Sequence, residues 1–381
     1  MTGHGAQGTV AAGFEPVREE FAAVLAAEGA DLDAQVAAYH HGELVVDLWA
    51  GAETTRDSLL GIYSASKGVA HLVVALLVQD GTLDLDQRVS HHWPEFAVRG
   101  KGEVRLRELL SHQAGLAGAD AGFSMAELAD DRVVAERLGA QRPFWRPGTA
   151  SGYHALVVAA LSGEVVRRAT GETVQSLFAS RLREPYQLDL HLGLPADQEH
   201  RFLPAQPMVA TPERLRDLAA AATGPNSLDG IAFNRHHPGN REVWELPNLP
   251  VVRAKGPASF GGIGTARSLA KLYSAAISPT DGAAPLLTPD TAAAFGQIQS
   301  AGWDLVLRQH KAWAVGFHAA AEIYPVLGQG AFGHSGAGGQ QALADPRNGL
   351  SYAFLRRRFL PPPQADADHQ RILGALLAAA R

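Results

Sequence analysis

A serine and a lysine stand three residues apart in the stretch IYSASKGVAHLVVALL, at residues 62–77. At that spacing on a helix, Ser64 and Lys67 share one face and can form a hydrogen bond. A serine hydroxyl is a weak nucleophile until a neighbouring base removes its proton. Lys67 enters an almost wholly apolar run, and burial together with the helix N-terminus would lower its pKa. The pair therefore indicates a serine nucleophile activated by a lysine.

Two other interpretations of this stretch stay open on spacing alone. Ser64 could simply cap the start of a buried helix, a common position for serine. Tyr63 and Lys67 also fit the Tyr-x-x-x-Lys pattern of short-chain dehydrogenases, and residues 3–8 fit Gly-x-Gly-x-x-Gly. That glycine pattern needs a preceding strand, and only two residues precede Gly3. The nicotinamide interpretation is therefore the weaker of the two.

Other residues that could do chemistry have less support. The segment GHSGA at 333–337 is close to the Gly-x-Ser-x-Gly elbow of α/β-hydrolases, but that elbow must run into a helix, and GAGGQQ cannot easily do so. His112 is expected to fix a helix end rather than to take part in catalysis. The chain has sixteen histidines, no cysteine and no His-Glu-x-x-His, so we expect no metal site. Acyl transfer through a serine implies no organic cofactor either.

Composition limits the class of protein. The 381 residues have a net charge of −6 and no basic block longer than the arginines at 356–358, which argues against a nucleic-acid partner. The chain does not open with a basic segment followed by an apolar run, and no uncharged apolar run reaches the roughly 18 residues that span a bilayer. The sequence predicts a cytoplasmic protein without a membrane partner, and oligomeric state cannot be predicted from it.

Strand patterns occur at both ends of the chain, and helical patterns occur between them. Residues 34–51 predict a hairpin, and strand patterns return after Ala312. Residues 64–78 predict a helix that is buried on most sides and ends at a left-handed Gly81. Residues 224–262, rich in Pro, Gly and Asn, predict a long functional loop. This order predicts an α/β domain built from both termini, with a helical domain inserted.

Ordered motifs along nearly the whole chain resemble the serine β-lactamase-like superfamily. Its members include class C β-lactamases, penicillin-binding proteins and family VIII carboxylesterases, and the last are the closest in pattern. The motifs include IYSASKGVA, LRELLSHQAGL, PGTASGYH, GGIGTARSLAKLY and GHSGAGGQQALADP. The resemblance implies an α+β fold, with an antiparallel sheet flanked by terminal helices. Residues 10–62 and 255–381 would form that domain, residues 63–254 the mainly helical insertion, and the active site would lie at their interface.

The resemblance also implies roles for particular residues. Ser64 matches the acylated nucleophile, Lys67 its helix partner, and Tyr153 the tyrosine that shuttles the proton with Lys67. The backbone N–H groups of Ser64 and Ala337 match the oxyanion hole. Three consecutive residues match the Lys-Thr-Gly strand element that binds substrate: His334, Ser335 and Gly336.

Two residues depart from the family pattern. Ala155 replaces the Asn of Tyr-x-Asn, and His334 replaces the Lys of Lys-Thr-Gly. A histidine is largely neutral at pH 7, so it would not hold a substrate carboxylate beside the scissile bond as lysine does. The resemblance therefore implies a carboxylesterase that acts on small or medium esters through an acyl-Ser64 intermediate. The alternatives are an acyltransferase, then a β-lactamase or D-peptidase, and a non-catalytic ligand-binding protein.

Overall fold

The computed structural model describes residues 5–28, 32–361 and 364–381; Gly3, on which the nicotinamide glycine pattern depends, lies outside them. The strands in these ranges are β1 (Gln7–Val10), β2 (Ala34–His40), β3 (Glu43–Ala50), β4 (Leu60–Tyr63), β5 (Leu190–His191), β6 (Gly262–Gly264), β7 (Ser300–Asp304), β8 (Gln309–Trp313), β9 (His318–Ala319), β10 (Phe332–Ser335), β11 (Gln341–Asp345) and β12 (Leu350–Arg356).

The α-helices of the same ranges are α1 (Glu15–Glu28), α2 (Ala65–Gln79), α3 (Val89–His92), α4 (Leu106–Leu110), α5 (Met125–Leu128), α6 (Asp131–Ala140), α7 (Val158–Thr170), α8 (Val174–Phe178), α9 (Pro212–Ala221), α10 (Leu228–Ala232), α11 (Pro250–Lys255), α12 (Ala266–Ile277), α13 (Pro289–Gly296), α14 (Ala320–Ile323) and α15 (Gln364–Ala379). None of these helices has both the length and the apolar character that a membrane span requires.

Both ends of the chain build one antiparallel sheet. Its strand order is β1-β3-β2-β12-β11-β10-β9-β8-β7. The two ends join where β12 pairs with β2, with Leu350 opposite His40 and Arg356 opposite Ala34. The hairpin predicted at residues 34–51 is confirmed as β2 and β3. The predicted α+β fold with an antiparallel sheet is therefore confirmed.

Helices cover both faces of this sheet. Alternate strand residues point to opposite sides, and because both sets are apolar here, each face has to be buried. Val36 on β2 joins the apolar cluster under the terminal helices α1 and α15, which also contains Phe21 and Leu373. Ala37, the next residue, joins the cluster on the other face, which contains Val69 of α2. The sheet thus forms the middle layer, and α2 is buried against its inner face.

Residues 63–254 are mainly helical, as the sequence predicts. Helices α2 to α10 and all but the last residue of α11 lie in this range, and its one strand beyond the end of β4 is the two-residue β5. Strand β5 pairs with β6, which also pairs with β4, so a small second sheet links this part to the start of α2. The division of the chain into domains at residues 62 and 255 stays a prediction.

Residues 224–262 are not the long loop that their composition predicts. They contain α10, a six-residue 3₁₀ helix (Val243–Asn248) and α11. Ser227 caps α10, because its Oγ accepts the N–H of Gly230 at 3.0 Å. Pro250 opens α11, where its missing N–H is not needed by the helix. A proline of the kind that the prediction took as a sign of a loop therefore stands at a helix start.

Candidate active site

Ser64 stands at the turn between β4 and α2. Tyr63 bends the chain there with a φ of +48°, an uncommon conformation for a residue other than glycine. The side chain of Ser66 secures the turn: it donates to the Tyr63 carbonyl at 2.5 Å and accepts the N–H of Gly262 at 2.8 Å. The side chain of Ser64 makes no capping hydrogen bond to the helix. The capping interpretation is therefore wrong, and the Ser64 hydroxyl is available for other contacts.

Lys67 is fully buried beside Ser64. Its Nζ lies 3.0 Å from Ser64 Oγ, and it donates to the carbonyl oxygens of Ala155 at 2.5 Å and Ser259 at 2.7 Å. Burial lowers the pKa of Lys67 well below its ordinary value. A neutral amine has two N–H bonds and one lone pair. With both N–H bonds directed at the two carbonyl oxygens, the lone pair faces the hydroxyl of Ser64.

Tyr153 approaches the same two residues. Lys67 Nζ lies 5.0 Å from the centroid of its ring. Burial raises the pKa of Tyr153 above its ordinary value, although a hydrogen bond with Ser64 opposes this rise. The phenol therefore keeps its proton at neutral pH, whereas the amine of Lys67 loses one more easily than an exposed lysine. The arrangement brings together a base, a hydroxyl and a proton donor.

Asp304 and Trp313 hold Tyr153 in place, and the sequence analysis singled out neither. The buried carboxylate of Asp304 accepts the backbone N–H of Tyr153 at 3.1 Å and the indole N–H of Trp313 at 3.0 Å. It also accepts the backbone N–H groups of Val306 and Leu307. Asp304 and Tyr153 are 151 positions apart in the chain. No local pattern in the sequence signals a contact over that separation.

His112 donates its backbone N–H to the carbonyl of Leu109 at the end of α4, where the sequence predicted it to fix a helix end, and its side chain also supports Tyr153. Its ring packs edge-on against that of Tyr153, with centroids 5.0 Å apart. Its Nδ1 accepts the backbone N–H of His154 at 3.2 Å, and its carbonyl accepts that of Gly152 at 3.1 Å. His112 thus fixes the segment that carries the tyrosine.

A cavity of about 530 Å³ opens in front of Ser64. Tyr153 and the segment from Ser335 to Ala337 also line it. The remaining lining residues include apolar and charged side chains: Phe233, Val243, Leu307, Trp313, Phe359, Pro361, Arg235, Lys311 and Asp366. The predicted nucleophile, the predicted tyrosine and most of the predicted strand element therefore border one space that can hold a small ligand.

The end of β10 closes tightly on β4. The backbone turns at Gly336, whose N–H donates to the carbonyl of Gln340 at 2.7 Å, and the chain continues into β11 instead of a helix. The strand-to-helix turn that a hydrolase elbow requires is thus absent at Ser335. A Cβ atom on Gly336 would lie 2.6 Å from the carbonyl oxygen of Ile62, so only glycine permits this approach.

The two residues whose backbone N–H groups are predicted to form the oxyanion hole, Ser64 and Ala337, both line the cavity. Among the described residues, neither backbone N–H donates a hydrogen bond to another backbone or side-chain acceptor. Both donors are therefore available to a substrate oxygen, which an oxyanion hole requires.

His334 lies behind the cavity wall and not on it. It is 1% exposed, and its Nδ1–H donates to the carbonyl of Ser335 at 2.8 Å. Its ring centroid lies 4.2 Å from that of His318 and 6.1 Å from that of Tyr153. Burial lowers the pKa of His334 well below its ordinary value, so it is neutral at pH 7. The neutral state fits the sequence-based expectation, but the structure does not place this imidazole in contact with a ligand in the cavity.

The nicotinamide and metal alternatives find no matching geometry. The Tyr63 hydroxyl donates to the carbonyl of Trp244 at 3.0 Å, and the amine of Lys67 is directed at Ser64. Within residues 5–28, 32–361 and 364–381, no three His, Asp or Glu side chains are placed to hold a metal ion.

Comparisons with known proteins agree over most of the chain. Residues 20–377 match the sequence pattern of the Beta-lactamase family. The Mycobacterium tuberculosis protein "Esterase/beta-lactamase LipL" is 30% identical over 362 residues, covering 89% of this chain and 80% of that protein. The structure of EstA from Arthrobacter nitroguajacolicus Rue61a is similar at a TM-score of 0.88 with 36% identity, covering 97% of this chain and 99% of EstA. A family VIII carboxylesterase gives a TM-score of 0.86 with 32% identity, covering 98% of this chain and 99% of that chain.

Proposed function

Because this chain belongs to the Beta-lactamase family and is similar to esterases over almost its whole length, we propose that it is a carboxylesterase that forms an acyl-enzyme on Ser64. One observation carries the assignment of the nucleophile. The Ser64 hydroxyl caps no helix and instead lies 3.0 Å from the buried amine of Lys67. Its substrates are small-molecule esters that fit the cavity of about 530 Å³.

Acylation begins with the removal of the Ser64 proton. The neutral amine of Lys67 takes this proton while Oγ forms a bond to the ester carbonyl carbon. The carbonyl oxygen becomes an oxyanion, and the backbone N–H groups of Ser64 and Ala337 donate to it. Removing one such donor typically costs about 10²–10³ in rate.

The tetrahedral intermediate then loses its alcohol. The carbon–oxygen bond to the leaving group breaks, and the phenol of Tyr153 gives its proton to the departing oxygen. The Lys67 ammonium returns its proton to the phenolate, so both groups regain their starting states. Water attacks the acyl-Ser64 carbonyl in the second half, with the same two groups moving protons in the reverse direction, and releases the carboxylic acid.

The nucleophile is tested by covalent labelling. A fluorophosphonate should add once to the protein, and peptide mapping should place the adduct on Ser64. Ser64→Ala should take up no label, whereas the matched variant Ser335→Ala, which changes the other serine on the cavity, should still be labelled. An adduct on Ser335 would contradict the assignment.

The same acyl-enzyme can also serve an acyltransferase, in which an alcohol replaces water. Product analysis of ester turnover with and without an added alcohol separates the two reactions. For the proposed esterase, free acid should remain the main product when the alcohol is present at millimolar concentration. A new ester as the main product would identify an acyltransferase.

A further inference from the structure

Strand β8 carries a lysine into the cavity. Its alternate residues Gln309, Lys311 and Trp313 all line the space in front of Ser64. This follows from strand geometry, because residues two apart point to the same face of a sheet. The indole of Trp313 stacks on Tyr153, so this face of β8 lies next to the proposed catalytic residues. Lys311 stands about 7 Å further along the strand.

The ammonium group of Lys311 differs from the other charged groups of the cavity in having no partner among the described residues. Arg235 forms an ion pair with Asp229, and Asp366 accepts the hydroxyl of Tyr324 at 3.0 Å. Burial lowers the pKa of Lys311, and the charges of Asp366 and Asp304 oppose this without a hydrogen bond to it. A partly buried cation without a direct partner is incompletely solvated, so a ligand that supplies a counter-charge would stabilise it more than it would stabilise a fully exposed lysine.

We propose that Lys311 binds a carboxylate carried by the ester substrate, at a distance from the scissile bond. The preferred substrates are then esters with a free carboxylate, such as half-esters of dicarboxylic acids. This proposal rests on the esterase function proposed above. It concerns a position different from that of His334, which is neutral and lies behind the wall, so the carboxylate is recognised along β8 and not beside the reacting carbonyl.

The test compares matched pairs of esters that differ by one carboxylate. Monoethyl glutarate against ethyl butyrate places the charge in the acyl part, and 4-acetoxybutanoate against propyl acetate places it in the alcohol part. Hydrolysis is followed by pH-stat titration, and kcat/KM is measured for the parent protein, Lys311→Met and Lys311→Arg. Arg308→Met is the control, because Arg308 lies in the turn just before β8 and outside the cavity lining.

Lys311→Met should lower kcat/KM for the charged ester of at least one pair by about 10-fold or more, the usual scale for a hydrogen bond between charged groups. The neutral ester of that pair should change by less than about twofold, because its contacts do not include the ammonium group. Lys311→Arg should keep most of the preference, and Arg308→Met should keep all of it. The pair that responds identifies the side of the ester that carries the carboxylate.

Equal losses for charged and neutral esters would overturn the proposal and leave Lys311 a structural role. So would an unchanged ratio in both pairs. Added salt gives a readout that needs no variant: it should lower kcat/KM of the parent protein for the charged ester more than for the neutral one. Fluorophosphonate labelling of the same samples separates the two proposals, because a protein that neither labels at Ser64 nor cleaves the neutral esters would fail as an esterase altogether.

Discussion

The indole ring of Trp313 lies parallel to the phenol ring of Tyr153, with centroids 5.2 Å apart and an angle of 8° between the planes. The carboxylate of Asp304 binds the backbone of the tyrosine and the indole N–H of the tryptophan at the same time. The phenol is therefore held by contacts to its ring and backbone, and its hydroxyl is free to serve the reaction. A reacting group that is oriented before substrate binds needs little reorganisation in the transition state.

Tyr153→Phe should keep the fold and lose activity. The ring and its stacking on Trp313 remain, and only the hydroxyl that hydrogen-bonds with Ser64 is removed. Acylation should slow by about 10²–10⁴, the usual scale for a positioned acid–base group. Stopped-flow measurement of the acylation burst gives the rate, and thermal melting checks the fold. Tyr63→Phe is the matched control and should acylate at the parent rate, because its hydroxyl bonds to a carbonyl away from Lys67.

The double variant Asp304→Asn/Trp313→Phe should lose less free energy of unfolding than the two single variants lose when their losses are added. The asparagine amide would place a donor against the indole N–H, and the phenylalanine removes that N–H, so both changes break the same hydrogen bond. Each should cost about 1–3 kcal/mol in the free energy of unfolding. Denaturant titration of the two single variants and the double variant gives the coupling.

A fully additive result would mean that Asp304 does not act through Trp313. Trp303→Phe serves as the control, because Trp303 precedes Asp304 on β7, so its side chain points to the opposite face of the strand and is 54% exposed. Its effect on stability should be small, and it should add to that of Asp304→Asn because the two side chains lie on opposite faces.

Activity should rise with pH as Lys67 loses its proton. The neutral amine is the active form, and burial lowers the pKa of Lys67, so the active form accumulates above a pKa that lies below the ordinary lysine value of about 10.4. Burial raises the pKa of the Tyr153 phenol, so the tyrosine should not ionise where Lys67 does. Tyr153→Phe should therefore show the same rise of acylation rate with pH, at a lower rate throughout. Burst-phase acylation measured between pH 5 and 10 for both proteins tests this. If the acylation rate of Tyr153→Phe no longer rises with pH, the ionisation that controls activity belongs to the tyrosine.

Lys67→Arg should abolish acylation at every pH in that range. A guanidinium keeps its charge in proteins and cannot accept the proton of Ser64. Acylation near the parent rate by this variant would require another base, and the buried histidines next to Tyr153 would be the first candidates.

Nitrocefin should be a poor substrate beside a short-chain p-nitrophenyl ester. The carboxylate of a cephalosporin lies close to the scissile amide, where the family pattern has a lysine and this chain has a buried, neutral His334. We expect kcat/KM for nitrocefin to be about 10-fold or more below that for the p-nitrophenyl ester, because the charged hydrogen bond between a lysine and the cephalosporin carboxylate cannot form at His334. Comparable turnover of the two would contradict this expectation, and its loss in Lys311→Met would show that Lys311 reaches that carboxylate.

The parts of the site that the sequence predicts are those set by local spacing. Ser64 and Lys67 meet because they are three residues apart at the start of one helix. Tyr153 could be identified only through the resemblance to a known family. Its position next to Ser64 depends on packing between distant parts of the chain, for which spacing offers no rule.

The parts that the sequence does not predict are set by long-range pairing. Asp304 and Lys311 lie on β7 and β8, a hairpin at the sheet edge whose pattern does not reveal that it borders Tyr153. The prediction also failed at residues 224–262, where proline, glycine and asparagine were taken as signs of a loop. Proline also starts helices, and asparagine and glycine also cap them, so composition alone could not separate a loop from a series of short capped helices.

The pairing of β2 with β12 has a consequence for biosynthesis. Residues near the two ends of the chain are direct neighbours in the sheet, with His40 opposite Leu350, so the fold has a high contact order. A ribosome adds about 5–20 residues each second, so the finished β2–β3 hairpin waits roughly 15–60 s for its partner strand. During that time β2 presents an unpaired edge, which is the kind of surface that recruits chaperones or aggregates. Heterologous yield should therefore depend on translation speed and on chaperone supply more than on the stability of the finished protein.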